Sequence, residues 1–285
     1  MNKTLVVLGS GFDKDLGLNN SCSDFSNSRF CPTIGDKEWN NFENTLRNKV
    51  IDWYNRGKSQ QEAEEINLLW QIYVKNISFF FTEKSDDFKI IKGRCTYKFL
   101  ESITEISKIY SFNYTNPYEY TDIKQNNEII HLHGRHYKDS YYKGMMVMSQ
   151  GNDIIFGIDS ECIPKDGFDN PYIHALVKKH HNVYKETDII NDLLNVEDVI
   201  FYGFSMGIVD FNYFEKFFSS IVKGTCLCKN IYYVTYNQES YGDFRNNLLN
   251  VKVDYETIIK NVSIIPIYTQ NGIKDKEFLN MLNVL

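Results

Sequence analysis

The sequence predicts an α/β protein built on a doubly wound, mostly parallel, Rossmann-like sheet. Three observations carry that expectation. Seven short runs are nearly continuous in β-branched and aromatic residues, as strands covered on both faces are. Helical patterns separate the later runs, which is the alternation of a parallel sheet. Two of the runs end in glycine turns, at the carboxyl ends where open α/β sheets bind ligands.

The expected strands are Thr4–Gly9, Lys108–Asn113, Glu128–His133, Asp153–Ile158, Asp198–Phe204, Asn230–Tyr236 and Val262–Tyr268. The long gap after the first strand reads as helical. Asp36 can cap a helix whose apolar positions, Trp39, Phe42, Leu46, Val50 and Trp53, are spaced by three and four, with Gly57 as its stop. A second helix carries Ile66, Leu69, Trp70, Tyr73, Ile77, Phe80 and Phe81 on one face. Residues 36–106 are therefore expected to form a helical insertion or cap within a single domain spanning residues 1–285. Later helices are expected over Tyr172–Val183 and Asp210–Val222. His174, His180 and His181 share the first of these with Lys178 and Lys179, which reads as a solvated face.

Composition narrows the function. The chain has 285 residues, with 31 Lys and Arg against 37 Asp and Glu, a net charge of −6. It has no surplus of cations to displace counterions, which excludes broad binding to nucleic acid or anionic lipid. The apolar run at the start is too short for a signal peptide, and nowhere do about 18 apolar residues run together. A cytoplasmic location without membrane contact is expected. Six cysteines are scattered and read as reduced thiols; Cys226 and Cys228 could supply only half of a metal site. The 20 Tyr and 20 Phe suit strands and a bulky core.

Four places carry the polar groups that chemistry needs. Gly9-Ser10-Gly11-Phe12-Asp13 follows the first strand, and glycines there let backbone N–H groups approach a phosphate. Lys14 occupies the third glycine position of the dinucleotide fingerprint, and no strand ending in an acid follows about 20 residues on, so this is no dehydrogenase. Asn113 and Asn116 end the second strand; they read either as holding a water or ribose hydroxyl or as satisfying a turn. His131, His133 and His136 cluster at the third, where a histidine near neutral pKa suits a general base. A metal site is the competing reading, but Arg135 stands where a ligating carboxylate belongs. Gly203-Phe204-Ser205-Met206-Gly207 matches a nucleophile elbow, yet no histidine follows the serine to complete a hydrolase triad. What survives is a second glycine turn, with Ser205 for a phosphate or ribose and Asp210 as helix cap or ribose acceptor.

Together these motifs resemble one family. Gly9–Asp13 with Gly17-Leu18 and Ser23-Asp24-Phe25, Trp39 with Phe42-Glu43, and Phe112–Asn116 are similar to the bacteriophage abortive infection AbiH family. So are His131–Gly134, Phe156-Gly157-Ile158-Asp159, and Gly203–Gly207 with Asp210, and the resemblance runs over residues 5 to 214. That family in turn resembles sirtuin-like NAD-consuming domains, whose glycine loop, asparagine, histidine–glycine pair and glycine–x–serine turn correspond to Gly9–Gly11, Asn113, His133 and Gly203/Ser205. Thr115 stands where sirtuins carry an aspartate toward nicotinamide, and the four zinc cysteines of a deacetylase are absent, which argues against protein deacylation.

The resemblance implies an anti-phage effector that hydrolyses NAD, with Asn113 and His133 as catalytic residues. Gly9, Ser10, Gly11, Phe12, Asp13, Gly203, Ser205 and Asp210 would bind the nucleotide. NAD is then the substrate, and no cofactor or metal is required. A phage-derived trigger and a homo-oligomer are further expected partners. The alternatives are a nucleotide or ADP-ribose sensor that turns nothing over and, third, a metal-dependent hydrolase or nuclease.

Overall fold

The structure, a computed structural model, describes residues 4–19, 22–31, 39–85, 88–103, 108–136, 141–142, 145–146, 154–158, 162–180, 186–207 and 210–285. The chain divides into two compact units: Met1–Leu18, Lys89–Leu132 and Lys185–Leu285 form the first, and Asn19–Phe88 with His133–Tyr184 form the second.

The first unit is a six-stranded, all-parallel sheet. Its strands are β1 (Thr4–Leu8), β2 (Ile109–Ser111) and β3 (Ile129–His131), then, after the two-residue strands β4 (Tyr141–Tyr142) and β5 (Met145–Met146) of the second unit, β6 (Asp198–Tyr202), β7 (Asn230–Thr235) and β8 (Ser263–Tyr268). The order across the sheet is β3-β2-β1-β6-β7-β8. From β1 the chain steps outward through β2 to β3, then returns to β6 and steps the other way. With right-handed crossovers the connecting helices fall on opposite faces, and the reversal lies between β1 and β6. Register aligns Leu8 with Ser111 and with Tyr202, Tyr202 with Val234, and Val234 with Ile267. Every turn that follows a strand therefore leaves the same edge of the sheet.

The apolar runs became strands because both faces are covered. All five residues of β1 and all three of β2 are buried. Pro266, which cannot donate to a ladder, sits in β8 at the sheet edge, where only β7 pairs with it. The aromatic content goes into the core: Phe12 packs edge-on against Phe99 and Tyr202, with centroids 6.1 and 5.0 Å away. Phe112 and Phe204 lie 4.6 Å apart, with Phe214 within 5.7 Å of both.

In the second unit, helices Trp39–Asn55 and Gln60–Ser85 bury the expected stripe, including Leu46, Val50, Trp53, Ile66, Tyr73, Ile77, Phe80 and Phe81. Gly57 follows the first helix with φ +102. Asp36, the expected cap, lies outside the described residues. The third helix of the 36–106 stretch, Cys95–Ser102, belongs to the first unit.

Four expectations fail. Asp153–Ile158 is no strand of the sheet: residues 154–158 are buried in the second unit, where Ile158 makes a single bridge to Val177. An apolar run signals burial but not which core will take it. Tyr172–Val183 is not one helix but a single turn, Pro171–His174, and a 3₁₀ turn, Lys178–His180, and Asp210–Val222 begins as the 3₁₀ turn Phe211–Tyr213 before the helix Glu215–Val222. Lys178 is not solvated either: it is 3% exposed and its Nζ lies 2.8 Å from Glu43 Oε1. His174 and His180 are exposed, with rings stacked 3.8 Å apart.

Cys226 and Cys228 precede β7, at the opposite edge of the sheet from the glycine turns. The hydrogen bond from Cys228 brings the Cys226 thiol down to about 6, against the opposing pull of burial. Burial pushes Cys95 up to about 12, with the Asp15 charge adding to it. Since only the thiolate reacts, iodoacetamide at pH 7 should label Cys226 well before Cys95. Peptide mapping by mass spectrometry checks the order, and faster labelling of Cys95 would contradict this assignment.

Candidate functional site

The site begins where the turns after β1 and β6 touch. Gly9 donates its N–H to Tyr202 O at 2.9 Å, Gly11 to Gly203 O at 2.8 Å, and Gly203 to Val234 O at 2.8 Å. A Cβ on Gly9 would lie 2.6 Å from Gly203 O, and one on Gly203 would lie 2.1 Å from Phe12 N. Gly203 also has φ +64, a left-handed backbone that side chains rarely adopt. These glycines are required by backbone meeting backbone. The contact uses the Gly9 and Gly11 N–H groups that the sequence reading aimed at a phosphate.

A cavity of about 630 Å³ opens beside this contact, at the carboxyl ends of β6, β7 and β8. Its size is that of a small-molecule site. Ser10, Gly11, Gly203 and Ser205, which the sequence assigns to a nucleotide, line this cavity. Gly9, Phe12, Asp13, Asp210 and Asn113 do not. Phe12 is core, and Asp210 precedes the 3₁₀ turn Phe211–Tyr213 without a side-chain cap bond. The elbow reading of Ser205 also fails on backbone grounds: the left-handed residue is Met206, φ 54, and not the serine. Sequence reasoning missed Lys14, Arg94, Tyr236, Ser240 and Asp243, which line the remaining walls. The only advance signal was topological, since Tyr236 directly follows β7.

Asn113 sits two residues beyond β2 and is buried. Its Nδ2 donates to Gly9 O and to Asp13 Oδ1, both at 2.9 Å. Both partners only accept, which fixes the amide orientation and leaves Oδ1 to accept from a ligand. Thr115 donates its hydroxyl to the other oxygen of Asp13. His131 Nδ1 lies 2.8 Å from Asn113 O; a carbonyl cannot donate, so the Nδ1 carries the proton. The asparagine is thus tied to the glycine turn through Asp13 and to β3 through His131.

His133 belongs to the second unit, because β3 ends at His131 and the two histidines do not share a strand. Part of the residue meets solvent, but its Nε2 does not. Burial, with the Lys178 charge adding to it, holds its pKa well below the ordinary 6.5. His133 is therefore neutral at pH 7, and the same burial makes it a weaker base than a free imidazole. No group of three His, Cys, Asp or Glu among the described residues is placed to hold a metal ion. None of the described helices is long and apolar enough to cross a membrane.

Fold and site together define a Rossmann-like α/β protein with a cavity beside its topological switch point. The chain belongs to the bacteriophage abortive infection AbiH family: the family model matches residues 32–230, more than half of its length. The match includes Asn113, His133 and the Gly203–Asp210 segment and starts after Gly9–Gly11. No curated protein and no solved structure matches the chain.

Two measurements test the site. Gly203→Ala should cost on the order of 3 kcal/mol or more, because left-handed strain and a backbone clash add. Gly224→Ala shares the strain, φ +67, but has nothing within 4 Å, and should cost only about 1–2 kcal/mol. Denaturant midpoints check this, and equal costs would remove the close-approach argument. His133, with a depressed folded-state pKa, takes up its proton first in the unfolded chain. Its contribution is unaffected above about pH 6.5, and stability is lost as pH falls from there toward the folded-state value. His133→Asn should flatten that loss between pH 7 and 5, as followed by denaturant melts.

Proposed function

We propose that this protein is an abortive-infection effector that binds NAD through its first unit and hydrolyses it to nicotinamide and ADP-ribose. The observation that carries the nucleotide reading is the cavity beside the Gly9–Gly11 and Gly203–Ser205 turns, at the place in a doubly wound sheet where nucleotides bind. The family supports a role in phage defence.

The diphosphate would lie over the two turns and take its contacts from side chains such as Ser10, Lys14 and Ser205, since the glycine N–H groups are already used. Asn113 is two strands from β6 in the sheet, roughly 10 Å away. That is the separation a second nucleoside would need to reach it from the cavity. Its Oδ1 would hold a ribose hydroxyl or the attacking water; the resemblance assigns the base to His133. The bond from the ribose anomeric carbon to nicotinamide nitrogen breaks, its electron pair stays with nicotinamide, and water oxygen bonds to the carbon. The positive charge of the nicotinamide ring is thereby discharged, and one proton is released. Such a step needs orientation and charge stabilisation more than covalent help. A sensor that binds without turnover is the second reading, and the commitment of the Asn113 amide to Gly9 and Asp13 favours it.

Incubating the purified protein with NAD should yield nicotinamide and ADP-ribose in equal amounts, unaffected by chelators. His133→Ala should lower kcat by about 100-fold or more while ADP-ribose binding persists. Binding without any turnover, in vitro and in phage-challenged cells, would select the sensor. Equal loss from His131→Ala and His133→Ala, restored by divalent metal, would select a metallohydrolase.

A further inference from the structure

The cavity is chemically polarised. On one wall Lys14 is exposed, and Arg94 lies 3.9 Å from Asp15 with about half of its side chain open to solvent. Asp15 is already engaged, accepting the Thr96 N–H at 3.1 Å and the Thr96 hydroxyl. That wall therefore keeps a net positive charge for an anion. The opposite wall comes from β7 and the helix Gln238–Asn250: Tyr236, 58% exposed, then Ser240 and Asp243. The carboxylate of Asp243 is exposed, and no cation stands beside it on its own helix, because Arg245 is stacked over Tyr255 at 4.6 Å. Among the residues lining the cavity the cations are Lys14 and Arg94, both on the other wall.

We infer that this cavity takes a nucleoside 5′-phosphate or diphosphate whose ribose 2′- and 3′-hydroxyls are both free, and that Asp243 is the residue that excludes a 2′-phosphate. The assignment rests on the nucleotide reading above and specifies which nucleotides enter. The 5′-phosphates face Lys14 and Arg94. The aromatic ring of Tyr236 offers a face for any base, since stacking needs only a π-system. The Asp243 carboxylate accepts from the ribose diol, the role an acid plays in sites that prefer an unphosphorylated ribose; a site for the 2′-phosphate places an arginine there instead. A dianionic phosphate brought against Asp243 would meet like charge without a compensating cation.

Isothermal titration calorimetry with ADP-ribose and with 2′-phospho-ADP-ribose tests this on the full chain. The unmodified protein should bind ADP-ribose at least about tenfold more tightly. D243N, which keeps size and removes charge, should narrow that ratio severalfold, while R94Q should weaken both ligands alike and leave the ratio unchanged. Circular dichroism melts confirm that both variants are folded. Equal affinity of the unmodified protein for the two ligands, or an unchanged ratio in folded D243N, overturns the assignment of Asp243 and leaves nucleotide binding intact. Failure of both ligands to bind the unmodified protein overturns the assignment and the nucleotide reading together.

Discussion

The close approach of two glycine turns, one after β1 and one after β6, is the constraint on which the rest of this structure depends. The two strands are far apart in sequence, and everything between them must leave and return without disturbing their register. Gly9, Gly11 and Gly203 allow the turns to meet at hydrogen-bond distance, with no room for a Cβ on either side. The order in which the chain fills the sheet reverses at this seam, so a close backbone contact coincides with the crevice at the carboxyl edge where open α/β sheets take ligands. A glycine loop in this position is commonly read as a phosphate cradle, but here its first duty is to join two halves of a sheet.

That duty changes how the proposed nucleotide would have to be recognised. Backbone N–H groups donated across the seam are not available to a ligand, and recognition passes to side chains at the rim. Those side chains come from the Ser10–Leu16 segment, the start of the Cys95–Ser102 helix, the turn after β6 and the helix after β7. Side chains on separate elements can be substituted without breaking the seam, whereas the glycines cannot. On the proposed function, ligand choice and fold integrity would therefore rest on different residues, although both lie at the same edge of the sheet.

This also explains what the sequence made legible. Strand runs such as Leu5–Leu8 and Ile231–Val234 are buried on both faces, and continuous apolar character is the direct consequence. Residues 154–158 carry the same signal and are equally buried, but they serve the second unit, and composition cannot distinguish two cores. Ser10, Gly11, Gly203 and Ser205 were readable because each belongs to a short motif. Lys14, Arg94 and Asp243 were not, because nothing local distinguishes them from ordinary surface charges; only the strand order brings positions 14, 94 and 243 to one cavity. Lys178 shows the converse, a residue whose charged neighbours suggested solvent while Glu43 holds it buried.

The polar cluster at Asn113 bears on the sirtuin-like resemblance drawn from the sequence. Thr115 stands where that resemblance would place an acid, and in space a carboxylate is present, because Asp13 accepts from both Thr115 and Asn113. Asp13 is 1% exposed, so it cannot serve a ligand directly as an exposed acid would. It instead fixes the Asn113 amide, whose nitrogen also anchors to Gly9. The result couples Asn113 to the seam: its amide is oriented by the same turn that joins β1 to β6. A change that loosens the seam must therefore also loosen Asn113, whereas a change at Asp243 has no such route to it. On the proposed assignment, ligand selection at Asp243 could vary while the geometry at Asn113 stays fixed.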